Sequence, residues 1–251
     1  MRNQPGWQPS KYVTRNGTLA ASRDVREVGI TSRLVTDLVG AYYSSVIPRY
    51  ASGRLLDLGC GKVPLYATYK DHVTDIVCVD WGNSQHKNDH LDYELDLTKD
   101  LPFPTAEFNT IILSDVLEHV SSPEPLWREM ARVLAVNGKV IMNVPFYYWL
   151  HEQPYDYYRY TEFALRRFIE LSGMKLILIE PLGGALEIMA DLFAKNIRRL
   201  PIAGRPTAIF AQWFALRFSR TTFGKKISKR TSREFPLGYF LIAEKPEAQP
   251  V

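Results

Sequence analysis

Leu55-Leu56-Asp57-Leu58-Gly59-Cys60-Gly61 reads as an apolar strand carrying one acid, followed by two glycines spaced for a tight strand-to-helix turn. Gly59 and Gly61 lack a β-carbon, so the backbone can take positive φ and approach a nucleotide-like ligand closely, with the turn amides expected as the binding surface. In a dinucleotide fold, the third glycine of G-x-G-x-x-G packs the helix against the strand beneath a pyrophosphate, and here that position is Pro64. Pro64 still fits the first turn of a helix, where its missing N–H has no intrahelical partner. Asp57 would repel two phosphates and suits a cationic ligand instead.

Working outward, Ile76-Val77-Cys78-Val79 reads as a buried parallel strand ended by Asp80, an acid placed to accept both hydroxyls of a ribose. Asp96-Leu97 precedes Leu101-Pro102-Phe103-Pro104, and Ile111 to Val120 is a strand that opens into a polar turn. Ligands of open α/β sheets gather at such carboxyl ends. The four segments, in this order, resemble the motifs of the class I S-adenosylmethionine-dependent methyltransferases of the type 11-like kind. The resemblance covers about residues 52–181 and the last strand. It implies an α/β, Rossmann-like, seven-stranded fold, a mostly parallel sheet with helices on both faces, and S-adenosyl-L-methionine as cofactor. It also implies that Asp57, Gly59 and Gly61 hold the methionine end, with Cys60 in the same turn. Asp80 would take the ribose, Asp96 beside Leu97 the adenine amino group, and Trp81 would stack on the base, with Ser114 and Asp115 near the reactive sulfur. Val63 departs from the family pattern, which often has a small residue there; it either narrows the methionine end or shifts the helix.

With 251 residues, 46% of them hydrophobic, the chain can bury a full core, and one α/β domain with additions is expected. Cys60 and Cys78 sit too differently to read as a staple and have no metal-ligand company, so a reducing compartment is expected. Met1 to Ser10 contains no apolar signal-peptide core, and no run reaches the roughly 18 apolar residues of a spanning helix. The expected location is cytoplasmic, with peripheral attachment at the inner membrane surface as an option.

Residues 1–50 read as a loose or wrapping arm followed by one or two helices between Arg23 and Tyr50. Residues 51–182 with 238–246 form the cofactor-binding core: strands at 54–58, 76–79, 110–114 and 139–144, a sixth at 176–179 and a seventh at 239–243. A crossover helix is predicted at 123–135, with Ser122 as N-cap, Pro123 at the first helical position and Asn137-Gly138 as the stop. Residues 183–237 form an insertion. Its Lys195–Arg233 segment holds eleven basic residues and no acid, so a chain of net charge +4 is otherwise at −7. With Ala208 to Phe218 apolar and aromatic, this is the composition of an interfacial helix beside anionic head groups. A solvated surface over a buried apolar helix is the plainer reading. Nucleic acid is a weaker one, because the aromatics do not alternate with the basic residues.

His119, in Glu118-His119-Val120, can be a general base or a helix cap. The segment Pro145 to Thr161 combines dense aromatics with His151, Glu152, Asp156 and Arg159. Tyr155, Asp156, Tyr158 and Arg159 are candidate substrate contacts for a polar ring such as a sugar, and a lid packed on the sheet is the alternative. The segment also resembles one recurrent in bacterial methyltransferases, some associated with surface-polysaccharide synthesis. No metal site is predicted: His151-Glu152 lacks the second histidine of H-E-x-x-H, position 155 being Tyr. The expected activity is methyl transfer to oxygen on a small-molecule or lipid-linked glycan-type acceptor, with His119 or His151 taking the proton. An RNA methyltransferase and a non-catalytic Rossmann-like binding module are the other readings.

Overall fold

The computed structural model describes residues 1–82 and 89–247. Its elements are β1 (Tyr12–Arg15), β2 (Thr18–Ala21), α1 (Arg33–Tyr50), β3 (Arg54–Leu58), α2 (Tyr66–Tyr69), β4 (Asp75–Asp80), β5 (Tyr93–Glu94), β6 (Phe108–Ser114), α3 (Pro123–Val133), β7 (Leu134–Pro145), α4 (Glu162–Leu171), β8 (Lys175–Leu182), α5 (Ala185–Ile197), α6 (Gly204–Ser219), α7 (Thr222–Thr231) and β9 (Gly238–Glu244). Seven strands form one sheet in the order β5-β4-β3-β6-β7-β9-β8. All neighbours are parallel except β9, which runs antiparallel to both β7 and β8. From β3 the chain winds outward through β4 to β5, then returns to β6 and winds the other way. The strand order therefore reverses between β3 and β6, and a crevice opens at their carboxyl ends.

Alternation along the strands sends successive side chains to opposite faces. Leu56, Leu58, Ile111, Leu113, Val140 and Met142 pack with Trp127 and Met130 of α3 and Leu165 and Ile169 of α4. Leu55, Ile76, Cys78, Ile112, Ile141 and Ile242 pack with Val39, Tyr43, Val46 and Ile47 of α1. A strand that is apolar on both faces must be covered on both, which is why the sheet is sandwiched.

Several local expectations are corrected. The first twenty residues are not loose: Asn16 and Gly17, at φ 50° and 73°, turn a hairpin whose strands pair from Tyr12↔Ala21 to Arg15↔Thr18. Tyr12, Leu19 and Ala21 of that hairpin are buried. Only α1 forms between Arg23 and Tyr50. Pro123 opens α3 as predicted, but the Ser122 side chain makes no capping bond and the helix stops at Val133. β7 begins directly at Leu134, so Asn137-Gly138 lies inside a strand. Within the seven-stranded sheet, the strand unassigned from sequence is the two-residue β5 at the sheet edge.

The insertion folds as three helices. α6 buries Gly204, Ala208, Gln212 and Ala215, and turns its large side chains outward, with Phe210 61%, Trp213 55% and Phe214 50% exposed. It is therefore not a buried apolar helix beneath charges. Gln212 anchors it: its carbonyl accepts the Leu34 amide at 3.0 Å and its amide donates to the Thr31 carbonyl. No helix among the described residues is long and apolar enough to cross a membrane.

Candidate active site

The crevice at the strand reversal is a cleft of about 590 Å³. Its wall includes Gly59, Cys60 and Gly61 of the turn after β3, Asp80 and Trp81 after β4, Asp96 and Leu97 after β5, Ser114, Asp115 and His119 after β6, and His151 and Tyr155 after β7. Twelve residues expected from sequence thus meet in one cavity, because parallel strands deliver their carboxyl-terminal loops to the same sheet end.

Gly59 has φ 71°, and a β-carbon there would lie 2.4 Å from Val116 Cγ2. Only glycine fits. The turn amides are already engaged, contrary to expectation: those of Gly59 and Cys60 donate to the Val79 carbonyl at 2.8 and 3.0 Å, and that of Gly61 to Asp80 Oδ2 at 3.1 Å. What the turn offers a ligand is the bare edge of its backbone. Val63, φ 51° and fully buried, packs with Cys60, Leu65 and Tyr69 and does not narrow the cleft. The Cys60 and Cys78 thiols are free and neighbouring, and the contact with Cys78 together with burial pushes the Cys60 thiol upward.

Asp57 is not on the wall. It lies buried beneath the turn and accepts the Tyr69 hydroxyl at 2.9 Å. Burial, with Asp80 nearby, pushes its carboxyl up to about 7. Asp80 Oδ1 also accepts the Trp81 amide at 2.8 Å. Trp81 is held edge-on to Tyr155, ring centroids 4.8 Å apart. Asp96 accepts the Thr98 hydroxyl at 2.7 Å and its amide at 3.0 Å, and these bonds hold it below the usual carboxylate range.

The β6 end is ordered by Asn143, next door on β7. Asn143 Oδ1 accepts the Tyr43 hydroxyl at 2.8 Å and the Ser114 hydroxyl at 3.1 Å, and its amide donates to Asp115. Lys11, just ahead of the hairpin, reaches over to Asp115 at 2.7 Å. Burial opposes both charges, but each raises the other's stability, so Asp115 stays below and Lys11 above its ordinary range. Neither Lys11 nor Asn143 was found from sequence. A lone lysine in an N-terminal segment carries no local signal of a partner more than a hundred residues on.

His119 Nδ1 lies 2.9 Å from the Tyr155 carbonyl, and His151 Nδ1 lies 3.3 Å from both the Trp149 carbonyl and Asp156 Oδ2. With acceptors facing both Nδ1 atoms, the neutral tautomer that fits each ring has its proton on Nδ1 and its lone pair on Nε2. The rings meet edge to face with centroids 4.8 Å apart. Burial lowers His151, outweighing the carboxylate of Asp156. Between them lies Glu118, fully buried, its carboxyl pushed well above the usual range by burial and by Asp115.

Three expected substrate contacts do not line the cleft. Asp156 is clamped by Arg159, Nη1 to Oδ1 at 2.5 Å and Nη2 to Oδ2 at 2.7 Å, and accepts the His151 amide at 2.9 Å. This pair braces the loop. The Tyr158 hydroxyl donates to the Ser121 carbonyl at 2.9 Å. Tyr155 and, unpredicted, Tyr148 and Tyr157 present the aromatic wall instead.

Residues 56–142 match the model of the methyltransferase domain family. The structure resembles the [4+2]-cyclase SpnF, at 16% identity and a TM-score of 0.57, covering 96% of this chain and 88% of that one. It also resembles a Bacillus halodurans C-125 protein described as a methyltransferase, at 14% identity, 84% and 99% coverage and a TM-score of 0.51. The S-adenosylmethionine-dependent methyltransferase of Mesorhizobium loti is similar at 15% identity, 84% and 99% coverage and a TM-score of 0.50. At such identities the likeness is one of fold. No curated protein matches the sequence.

Proposed function

Because residues 56–142 match the methyltransferase domain family and the cleft fits its donor, we propose that this chain is a class I S-adenosylmethionine-dependent methyltransferase that methylates an oxygen of a small-molecule or lipid-linked glycan-type acceptor. S-adenosylmethionine, when bound, supplies an electrophilic methyl group on a sulfonium. The residues fit such a cofactor: a glycine edge that no β-carbon could occupy, with acids at the ends of β4 and β5. Asp80 would hold the ribose diol, Asp96 the adenine amino group, and Gly59 and Gly61 the methionine end, with Trp81 beside the base and Ser114 and Asp115 near the sulfur.

The observation that carries the oxygen acceptor is the imidazole pair on the same cleft wall. A hydroxyl must shed its proton as its oxygen takes the methyl, and His151 offers a lone pair on Nε2 for it, whereas His119 Nε2 is buried. Because burial lowers His151, that ring is neutral and ready at pH 7. Tyr148, Tyr155 and Tyr157 would flank a sugar-like ring and exclude water, which favours a reaction that disperses charge. Alignment supplies the rest. We expect His151→Ala to keep its affinity for S-adenosylhomocysteine and lose turnover by roughly 100-fold, within the span of general-base effects. Unchanged turnover on a glycan-type acceptor would remove His151 from the reaction.

The insertion suits an acceptor presented at a lipid surface. Phe210, Trp213 and Phe214 form a continuous outward stripe, Ile202 is fully exposed, and Lys195–Arg233 contains only basic charges. Flotation with vesicles containing anionic lipid is expected to carry the protein, and Phe210→Ser with Trp213→Ser to release it. Equal flotation of both proteins would contradict the docking.

A further inference from the structure

We propose that Glu118, His119 and His151 form a site for one divalent transition-metal ion of the zinc class, opening into the cleft. The proposal stands on geometry, and rests on the proposed function only for what the ion's free position would take, an acceptor oxygen.

Glu118 and His119 lie in the turn Leu117–His119 after β6, and His151 in the loop after β7. These strands are parallel neighbours, so residues remote in sequence arrive together. Local spacing, which lacks H-E-x-x-H, could not reveal this. The loops are also latched: the Tyr157 amide donates to the Glu118 backbone carbonyl at 2.9 Å.

The Glu118 side chain is fully buried, yet neither carboxylate oxygen has a hydrogen-bond partner, and His119 Nε2 is likewise unpartnered. Unpaired buried groups of this kind are expensive and rare. Both Nδ1 atoms face acceptors, which leaves both Nε2 atoms on the side of the Glu118 carboxyl. Glu118 Oε1 lies 3.7 Å from His119 Nε2 and 3.8 Å from His151 Nε2, too long for a shared proton.

The three ligand atoms all lie within 4.8 Å of one another. One ligand atom from each residue, all spread over no more than 4.8 Å, can nearly surround an ion held at the ~2.0–2.2 Å usual for zinc with imidazole or carboxylate. A contraction of a few tenths of an ångström would suffice. Two imidazoles with one carboxylate favour zinc, manganese, iron or cobalt over magnesium and calcium, which prefer all-oxygen sets. The carbonyls and Asp156 behind the Nδ1 atoms are the outer shell that such ligands ordinarily have. His119 and His151 line the cleft, so the site lies in its wall. Glu152 Oε2 stands 3.9 Å from His119 Nε2. Ion and proton compete for the same Nε2 lone pairs, so a loaded site would use the imidazoles to hold the ion rather than as bases.

The full chain, stripped with chelator, would be titrated with Zn²⁺ and with Co²⁺, reading stoichiometry by native mass spectrometry and cobalt ligand-field absorption. One equivalent is expected, with Glu118→Gln and His151→Gln each weakening it at least roughly tenfold. Absence of binding by the wild-type chain, or equal affinity in both variants, would overturn the site, as would a preference for Mg²⁺. His151→Gln changes an exposed loop, so it keeps the test open if Glu118→Gln fails to fold. Titration with S-adenosylhomocysteine in the same preparations separates the two claims. Cofactor binding without metal binding removes this site alone, and metal binding without cofactor binding removes the proposed function alone.

Discussion

Asp57→Asn should stabilise the protein at alkaline pH and flatten its pH dependence. Burial raises the Asp57 carboxyl from 3.8 to about 7 in the folded chain, so the fold holds its proton more tightly than the unfolded chain does. Between those values the folded state binds more protons, and stability falls as pH rises through the window from about 4 to 7. A rise of about three units corresponds to about 4 kcal/mol, absent below the unfolded value and fully expressed above the folded one. Asparagine removes the charge and retains an oxygen for the Tyr69 hydroxyl, at a cost of about 1 kcal/mol for exchanging a charged acceptor for a neutral one. The net expectation is a gain of about 3 kcal/mol near pH 8 and none near pH 4, read from urea unfolding of both proteins across that range. A destabilised variant at pH 8, with wild-type stability level between pH 4 and 7, would refute the reasoning. A cation bound above the turn favours the ionised acid, so the same variant should bind S-adenosylmethionine more weakly, with less change for S-adenosylhomocysteine, which lacks the sulfonium charge.

Gly59→Ala should lose measurable affinity for S-adenosylhomocysteine and about 1–3 kcal/mol of stability, since its β-carbon would meet Val116 at 2.4 Å in a left-handed backbone; calorimetry and thermal unfolding together check this. Lys195→Met should cost about 3–5 kcal/mol by stranding buried Asp191, and adding Asp191→Leu should recover most of it in denaturant titrations. Because Lys195 Nζ lies 3.6 Å from the Tyr148 ring centroid, Lys195→Met should also raise KM for the acceptor through the loosened aromatic wall.

What could be read from sequence was whatever repeats locally. The apolar runs at Leu55–Leu58, Ile76–Val79 and Ile111–Leu113, each followed within two residues by an acid or glycine, placed three strand ends and hence most of the cleft wall. Asp57 was misplaced because a strand's alternation decides which face an acid takes, and here it faces Tyr69 beneath the turn. Asn16-Gly17 is a local hairpin signal, and both residues take the positive φ such a turn requires. Asp156 and Arg159 read as substrate contacts because composition cannot tell a polar pair turned inward on each other from one offered to a ligand. Glu118 gains its meaning only when β7 brings His151 beside it. For α6, composition suggested an interfacial helix, but which residues face inward, the small ones and Gln212, depends on packing against the rest of the fold.

The central claim is that the cleft at the strand reversal binds the methyl donor. It is tested most directly by calorimetric titration of the purified chain and of Asp80→Ala with S-adenosylhomocysteine, with NAD as control. Saturable one-to-one binding of S-adenosylhomocysteine alone is predicted, weakened at least roughly tenfold in the variant by loss of the ribose acceptor. No binding by well-folded protein, or undiminished affinity in Asp80→Ala, would contradict the account.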